Sequence, residues 1–368
     1  MDAPALPPPA VVAPAPREVS FGLVAGSVPA GTRRVIVRIG ERVLADRPLR
    51  GRRFSLHVEL PRREVALRVV AVTATGRRSS AIVPQVVGLP SAASPALRGG
   101  AARPRLHAGL GRGIRALTRA FPGTSGVYVE DLASGFGAAW NARARFPAAS
   151  TLKLAIAVAA LRAEPGKPPP RSEAAALLHA MLVRSENKAA NRLLARIGGS
   201  WRVEETLRAL ALGDSLMYGG YEVEDVRRPA GRAPIPIRVE SQPQFGVGKY
   251  TSAWDLARLA RAVYLAAAGR GPLLRLGVTR PEARHLLWLL AHVGDGGKLG
   301  RFLGGSATLL HKGGWLATAR HDSGLVVWSG GVFVATVLTW RPGGVGSASD
   351  VLAGRVARTA QGVFRELG

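Results

Sequence analysis

The spacing of apolar positions changes character near residue 106. Between Val19 and Val87 apolar and polar residues alternate in short runs rich in β-branched side chains: Val35 to Ile39, Arg53 to Leu60, Val65 to Thr73 and Ala81 to Val87. Runs of period two, separated by turns rich in Gly, Pro or Arg, predict the strands of a small all-β sandwich, here an Ig-like β-sandwich domain over residues 17–90. Residues 1–16 are largely Pro and Ala and are expected to be a disordered segment. Residues 91–105, with their Pro, Ser, Gly and Ala, read as a linker to a second domain over 106–368.

From Leu106 the period is helical. A helix to about Phe121 precedes two strands, Gly126 to Leu132 and Gly137 to Asn141, and a run of helices follows from Thr151 to about Leu212. Residues 213–250 hold many Gly and Pro with little periodicity, and so long a loop inside a compact domain is usually functional. Helices return at Ser252 to Ala268 and Pro281 to His292, then three strands at Thr308 to Gly314, His321 to Trp328 and Gly331 to Trp340, and a last helix from Ala348. This order suits an α/β (α+β) domain: an antiparallel sheet flanked by helices, with an all-helical part.

Composition narrows the picture. At 368 residues, 47% of them hydrophobic, the chain has enough apolar surface for two domains. The apolar stretch Leu154 to Leu161 is bracketed by Lys153 and Arg162 and is too short for a membrane span. There is no cysteine, which excludes disulfides, thiolate metal sites and cysteine nucleophiles. The seven His lack H-E-x-x-H or similar spacing, so no metal and no other cofactor is expected. The net charge of +27 is spread over both parts: residues 17–90 carry 14 basic against five acidic residues, and residues 91–368 carry 37 against 18. Without a dense basic run interleaved with aromatics, nucleic acid is not an expected partner, whereas weak association with an anionic cell envelope is. Only six of the 51 basic residues are Lys, at 153, 167, 188, 249, 298 and 312. Since Lys can give up its proton at attainable pH and Arg cannot, each Lys stands out.

One of them carries a candidate chemistry. In Ser150-Thr151-Leu152-Lys153, at the start of a helix, residues three apart share a face, so the amine can reach the hydroxyl. A desolvated Lys with lowered pKa can take a serine proton, and a helix N-terminus offers N–H groups to an oxyanion. A helix-capping Ser beside a surface Lys has the same spacing, and Ser185 to Lys188 repeats it, so the pattern alone does not decide.

Its context does. Downstream lie Ser185-Glu186-Asn187, then Lys188-Ala-Ala-Asn191-Arg-Leu-Leu-Ala-Arg-Ile-Gly198-Gly199, and later His311-Lys312-Gly313-Gly314-Trp315 on an expected strand. S-x-x-K, S-x-N and K-x-G in this order form a signature of class A β-lactamases and penicillin-binding proteins. With Phe146-Pro147-Ala148-Ala149 before Ser150, residues 106–368 resemble class A β-lactamases, the penicillin-recognising serine hydrolases. The resemblance implies that Ser150 attacks a carbonyl, that Lys153 is the base or the partner of a base, and that Ser185 protonates the leaving nitrogen. It further implies that Asn187 binds the substrate amide and steadies Lys153, that Lys312 and Gly314 bind substrate, and that the N–H groups of Ser150 and Trp315 form an oxyanion hole.

Three departures stand against it. Glu186 replaces the usual Asp, Gly313 replaces a Thr or Ser whose hydroxyl would bind a substrate carboxylate, and the E-x-x-L-N loop that activates the deacylating water is not recognisable. In the comparable stretch, Tyr221-Glu222-Val223-Glu224-Asp225, Glu222 is the candidate for that glutamate, against an ordinary loop carboxylate. His321-Asp322 lacks a G-x-S-x-G elbow to complete a Ser-His-Asp set and reads as a sheet-edge pair. The resulting expectation is a β-lactamase-like serine hydrolase opening β-lactam amides through a Ser150 acyl-enzyme. The alternatives are a penicillin-binding D-Ala-D-Ala carboxypeptidase or esterase, and a non-catalytic envelope-binding protein. The expected partner is a small β-lactam or a peptidoglycan stem peptide, outside the cytoplasm. Met1 to Arg17 lacks the basic and apolar regions of a leader, so a secreted or periplasmic location implies one absent from this chain.

Overall fold

The computed structural model describes residues 5–94, 105–221 and 248–367. The chain divides into two compact units, Met1–Ser94 and Pro95–Gly368.

The first unit is built of strands: β1 (Ala10–Ala13), β2 (Glu18–Ser20), β3 (Leu23–Ser27), β4 (Thr32–Ile39), β5 (Arg42–Pro48), β6 (Arg53–His57), β7 (Glu64–Thr73) and β8 (Arg78–Gly88). They form a three-stranded sheet, β1-β3-β6, and a five-stranded sheet, β2-β8-β7-β4-β5. In β7 the alternation works as expected: Val65, Leu67, Val69 and Ala71 are buried while Glu64, Ala66 and Arg68 are exposed. The buried set meets Val24, Val35, Val37 and Phe54 in one core. Two expectations are corrected. Within the segment 1–16 expected to be disordered, Ala10–Ala13 pair antiparallel with β3 and Val11 packs on the core, because an edge strand needs only backbone groups and one inward side chain. Strands β2, β3 and β5 lacked a periodic signal: β2 has three residues, β3 contains Ala-Gly-Ser, and β5 buries only Ala45 at its sheet edge.

The second unit's first described strand is β9 (Arg105–Leu106), across the expected boundary between linker and domain, which pairs with β11 (Phe136–Trp140) and leads into α1 (Ala108–Arg119) and β10 (Thr124–Asp131). Then come β12 (Phe146–Pro147), α2 (Lys153–Ala163), α3 (Glu173–Leu182), α4 (Asn187–Arg196), α5 (Trp201–Ala209) and β13 (Tyr250–Thr251). The remainder is α6 (Ala253–Ala266), α7 (Pro272–Arg275), α8 (Arg280–Ala291), β14 (Ala307–Leu316), β15 (Ala319–Trp328), β16 (Gly331–Trp340) and α9 (Ala348–Glu366). The sheet order is β14-β15-β16-β10-β11-β9, antiparallel except for the β9–β11 pair. Val127 and Val129 of β10 face α1 and α9, packing with Ile114, Val356, Ala360 and Phe364. Tyr128 and Glu130 alternate to the opposite face, where Trp254 and Arg261 of α6 meet them. Helix α2 is buried from Lys153 to Leu161 on every side, so it carries no amphipathic stripe and forms the centre of the helical part, against α3, α4 and α5. Among the described residues no helix is long and apolar enough to cross a membrane.

Candidate active site

Ser150 sits in a single 3-10 turn, Ala149–Leu152, immediately before α2 rather than in the helix's first α-turn. The turn is tightly prepared. Ala149, its first residue, is left-handed (φ 47°), and Thr151 Oγ1 donates to Ala148 O at 2.5 Å. Pro147 O accepts from His321 Nε2 at 2.7 Å, while His321 Nδ1 accepts from the Thr339 N–H at 3.2 Å. One ring nitrogen donates and the other accepts, so the imidazole is neutral, and burial pulls its pKa down to about 4. The sheet-edge reading of His321 and Asp322 is therefore corrected. Both are buried in β15, an interior strand, and Asp322 Oδ1 lies 2.7 Å from His311 Nδ1. Neither belongs to a Ser-His-Asp set. His321 braces Pro147 ahead of Ser150, and Asp322 braces His311 of β14 and the Leu299 N–H.

The three motif segments converge on one cleft of about 960 Å³ lined by Ser150, Ser185, Asn187, Lys312, Gly314 and Trp315. Lys153, fully buried beneath it, donates to Ser185 O at 2.5 Å and to Asn187 Oδ1 at 2.6 Å, with Ser185 Oγ at 3.5 Å. Its ammonium also stands 4.6 Å from the centre of the Tyr221 ring. These contacts replace water for a cation that burial would otherwise disfavour strongly. Lys312 reaches Ser185 Oγ at 2.9 Å from the opposite side, and burial draws its pKa down to about 8, with Lys298 contributing and Asp322 and Asp295 opposing. Ser185 is itself left-handed (φ 59°), a conformation that aims its hydroxyl between the two ammonium groups. With both neighbours donating, its lone pairs are engaged and its own proton is free to be given elsewhere. Gly314 allows a close approach: a Cβ there would lie 3.0 Å from Ser150 N and press on it. Trp315, beyond it, is 65% exposed at the cleft rim.

The loop after α5 brings in a residue that the motifs did not flag. Asp255 accepts from Asp214 N at 2.8 Å and Ser215 Oγ at 2.9 Å, and Glu204 accepts from Met217 N. Burial pushes both carboxyls up to about 7, helped at Asp255 by Asp214, whose own carboxylate pairs with Arg143 at 2.7 Å. So anchored, the loop delivers Tyr221 to Asn191, whose carboxamide bonds the Tyr221 backbone on both sides, Nδ2 to O at 2.5 Å and N to Oδ1 at 2.7 Å. The Tyr221 ring lies between Lys153 and Lys249, 4.6 and 4.9 Å from its centre, and its hydroxyl donates to Ala149 O at 3.0 Å. Burial raises its pKa, so the phenol stays protonated. Glu222, the candidate for water activation, lies outside the described residues.

Two further residues line the cleft unforeseen: Lys298 and Asp295, paired with each other beside Gly313. The scarcity of Lys was the available signal. Of the six, Lys153, Lys249, Lys298 and Lys312 all stand in or against the cleft. Among the described residues no group of three or more His, Asp or Glu side chains is arranged to hold a metal.

The profile of the β-lactamase enzyme family matches residues 109–165 and 166–364. A comparison with curated proteins finds no match. Among solved structures, PBP-A is similar at 22% identity over 72% of this chain and 98% of its own, with a TM-score of 0.58. A variant of PBP-A described as an acyl-enzyme complex with penicillin G is also 22% identical, over 72% of this chain and 99% of its own (TM-score 0.57). A β-lactamase from Streptosporangium roseum, again 22% identical, covers 71% of this chain and all of its own at a TM-score of 0.55. At these identities the likeness is one of fold, with its antiparallel sheet, flanking helices and helical part. With the family profile spanning most of the chain, this protein belongs to the β-lactamase enzyme family, the penicillin-recognising serine hydrolases.

Proposed function

We propose that the second unit is a serine acyl-transfer enzyme acting on β-lactam amides through an ester on Ser150. The observation that carries this reading is the meeting of Ser150, Lys153, Ser185, Asn187 and Lys312 from three separate segments of the chain, with Lys153 fixed by Ser185 and Asn187. With Lys153 in its neutral amine form, Ser150 Oγ attacks the carbonyl carbon while its proton passes to Lys153 Nζ. The oxyanion is held by the N–H groups of Ser150 and Trp315. When the C–N bond breaks, Ser185 gives its proton to the leaving nitrogen and is reprotonated across Lys153 and Lys312. Asn187 holds the substrate amide.

The second step favours a particular member of this class. Hydrolysis of the ester needs a base for a water, and at the position clamped by Asn191 this chain carries a protonated, buried phenol. That supports a long-lived acyl-enzyme, as in a penicillin-binding D-alanyl peptidase or transferase, over rapid β-lactam hydrolysis. Glu222 is the alternative base, and such a role would restore the hydrolase reading. Action on peptidoglycan stem peptides or on β-lactams implies work in the cell envelope, where the net charge of +27 favours weak attraction to anionic polymers. A fluorescent penicillin tests the proposal: labelling that resists denaturation in the parent and vanishes in Ser150→Ala supports it, and labelling that persists in the variant refutes it.

A further inference from the structure

Helices α1 and α9 each turn a stripe of arginine away from the sheet. In α1, Leu110, Ile114 and Thr118 are buried, and Arg112, Arg115 and Arg119 fall on the opposite side, three and four residues apart. In α9, Val356, Ala357, Ala360 and Phe364 are buried while Arg355, Arg358 and Arg365 are exposed. The stripes are neighbours, since both helices cover one face of the sheet and a Cβ on Gly113 of α1 would lie 3.3 Å from Thr359 Cγ2 of α9. Six exposed guanidinium groups thus share one surface.

Little opposes them. Helix α1 contains no acidic residue, and on α9 Asp350 is paired with Arg320 at 2.8 Å while Glu366 stands at the last position. In the sheet beneath, Asp131 accepts from Ser134 and Asp322 is buried against His311. None of the six arginines enters an ion pair among the described residues. The helical part differs: Arg184, Arg192, Arg196 and Arg202 each pair with a glutamate. Like charges three and four apart on a helix repel, so the two stripes destabilise the helices that carry them.

A soluble polyanion would answer the charge alone, but the surface also has an apolar rim. Leu106, Phe302 and Leu367 are 73%, 39% and 47% exposed. Leu106 leans on the first turn of α1, where a Cβ on Gly111 would lie 3.4 Å from its Cδ1. Phe302, at the end of the 3-10 turn Leu299–Phe302 and beside the exposed Arg301, lies against Gly354 of α9, and Leu367 caps that helix. A bilayer with anionic headgroups takes up guanidinium and apolar side chains together, whereas a soluble polymer leaves the apolar ones in water.

We propose that α1 and α9 form a docking surface for an anionic lipid bilayer. The inference does not rest on the acyl-transfer reading, and docking leaves the cleft clear. His321, which holds Pro147 ahead of Ser150, stands opposite Leu338 and Gly126 in the sheet. It therefore points, like Tyr128 two residues from Gly126, to the face away from α1 and α9.

The test is co-sedimentation of the full chain with vesicles of phosphatidylcholine alone and of phosphatidylcholine with phosphatidylglycerol. Binding should need phosphatidylglycerol and weaken at high salt. The triple variant Arg112→Gln, Arg115→Gln, Arg119→Gln should lose roughly a hundredfold in affinity, at about fivefold per arginine. Removing the same charge from the helical part, with Arg192→Gln, Arg196→Gln and Arg202→Gln, should change it little. Leu106→Ser should weaken vesicle binding severalfold and leave binding to soluble polyphosphate unchanged. A thermal melt shows that each variant is folded. Equal losses in the two triple variants would assign any binding to the overall charge and overturn the proposal, as would binding indifferent to phosphatidylglycerol or to Leu106→Ser. Capture by polyphosphate that depends on the α1 arginines, without vesicle binding, would overturn it in favour of a polymer.

Discussion

Replacing Tyr221 by Glu should convert a slow second step into a fast one. The ring stands 4.6 Å from the Lys153 ammonium and 4.9 Å from that of Lys249, and the Asn191 carboxamide holds its backbone whatever side chain it carries. A carboxylate in the same place would face two cations at about 5 Å, each attraction on the order of 3 kcal/mol at an effective dielectric near 20. Together these exceed the burial effect that lifts Glu204 to about 7, so the new group stays ionised. The ring's departure also leaves room for a water beside Ser150. A positioned general base contributes roughly two to four orders of magnitude, and the lifetime of the penicillin ester should shorten by that factor. Acylation should slow less than about tenfold, because the new charge makes Lys153 harder to deprotonate. Tyr221→Phe is the control. It loses only the hydroxyl's bond to Ala149 O and should keep a long-lived ester. The assay is a time course of intact mass after a penicillin pulse and removal of free drug, with a thermal melt to show that each variant is folded. A parent ester that hydrolyses within seconds, or a folded Tyr221→Glu whose ester lasts as long as the parent's, would refute the reasoning.

Three further outcomes follow from the same geometry. Lys153→Arg keeps the charge but not the base, so acylation should drop at least about a hundredfold, and near-normal stopped-flow acylation would remove Lys153 from the mechanism. Lys312 has its pKa drawn to about 8, so acylation by anionic penicillins should weaken as pH rises through 8. Acylation rates across pH 6.5 to 9.5 that stay flat would contradict this. His321 is held neutral with a pKa near 4 against about 6.5 when unfolded, so the unfolded state binds its proton first and stability should fall by roughly 3 kcal/mol as pH drops from 6.5 to 4. Urea unfolding at both pH values checks it, and His321→Gln should remove this part of the slope.

What the sequence made legible divides along physical lines. The five longer strands of the second unit and the long helices were readable because burial on one or both faces imposes a period, and β16 runs over the expected residues Gly331–Trp340, whereas the two-residue strands β9, β12 and β13 are too short to show one. The short edge strands β1, β2 and β5 were not, since backbone pairing alone leaves no hydrophobic pattern. In the site, Ser150, Lys153, Ser185, Asn187 and Lys312 were readable because their chemistry needs fixed local spacings. Tyr221, Lys298 and Asp295 reach the cleft through contacts across long stretches of chain, with Asn191 and Gly313, and no local spacing records such contacts. Gly313 is the clearest case: in sequence it is a lost hydroxyl, and in the fold it is the space that Lys298 fills.

The most direct test of the account is the mass and position of the adduct formed with benzylpenicillin. The account predicts that the full mass of the drug is added once, that peptide mapping finds it on Ser150, and that Ser150→Ala remains unmodified and folded. An adduct mapped to Ser185, or one retained in Ser150→Ala, would contradict it.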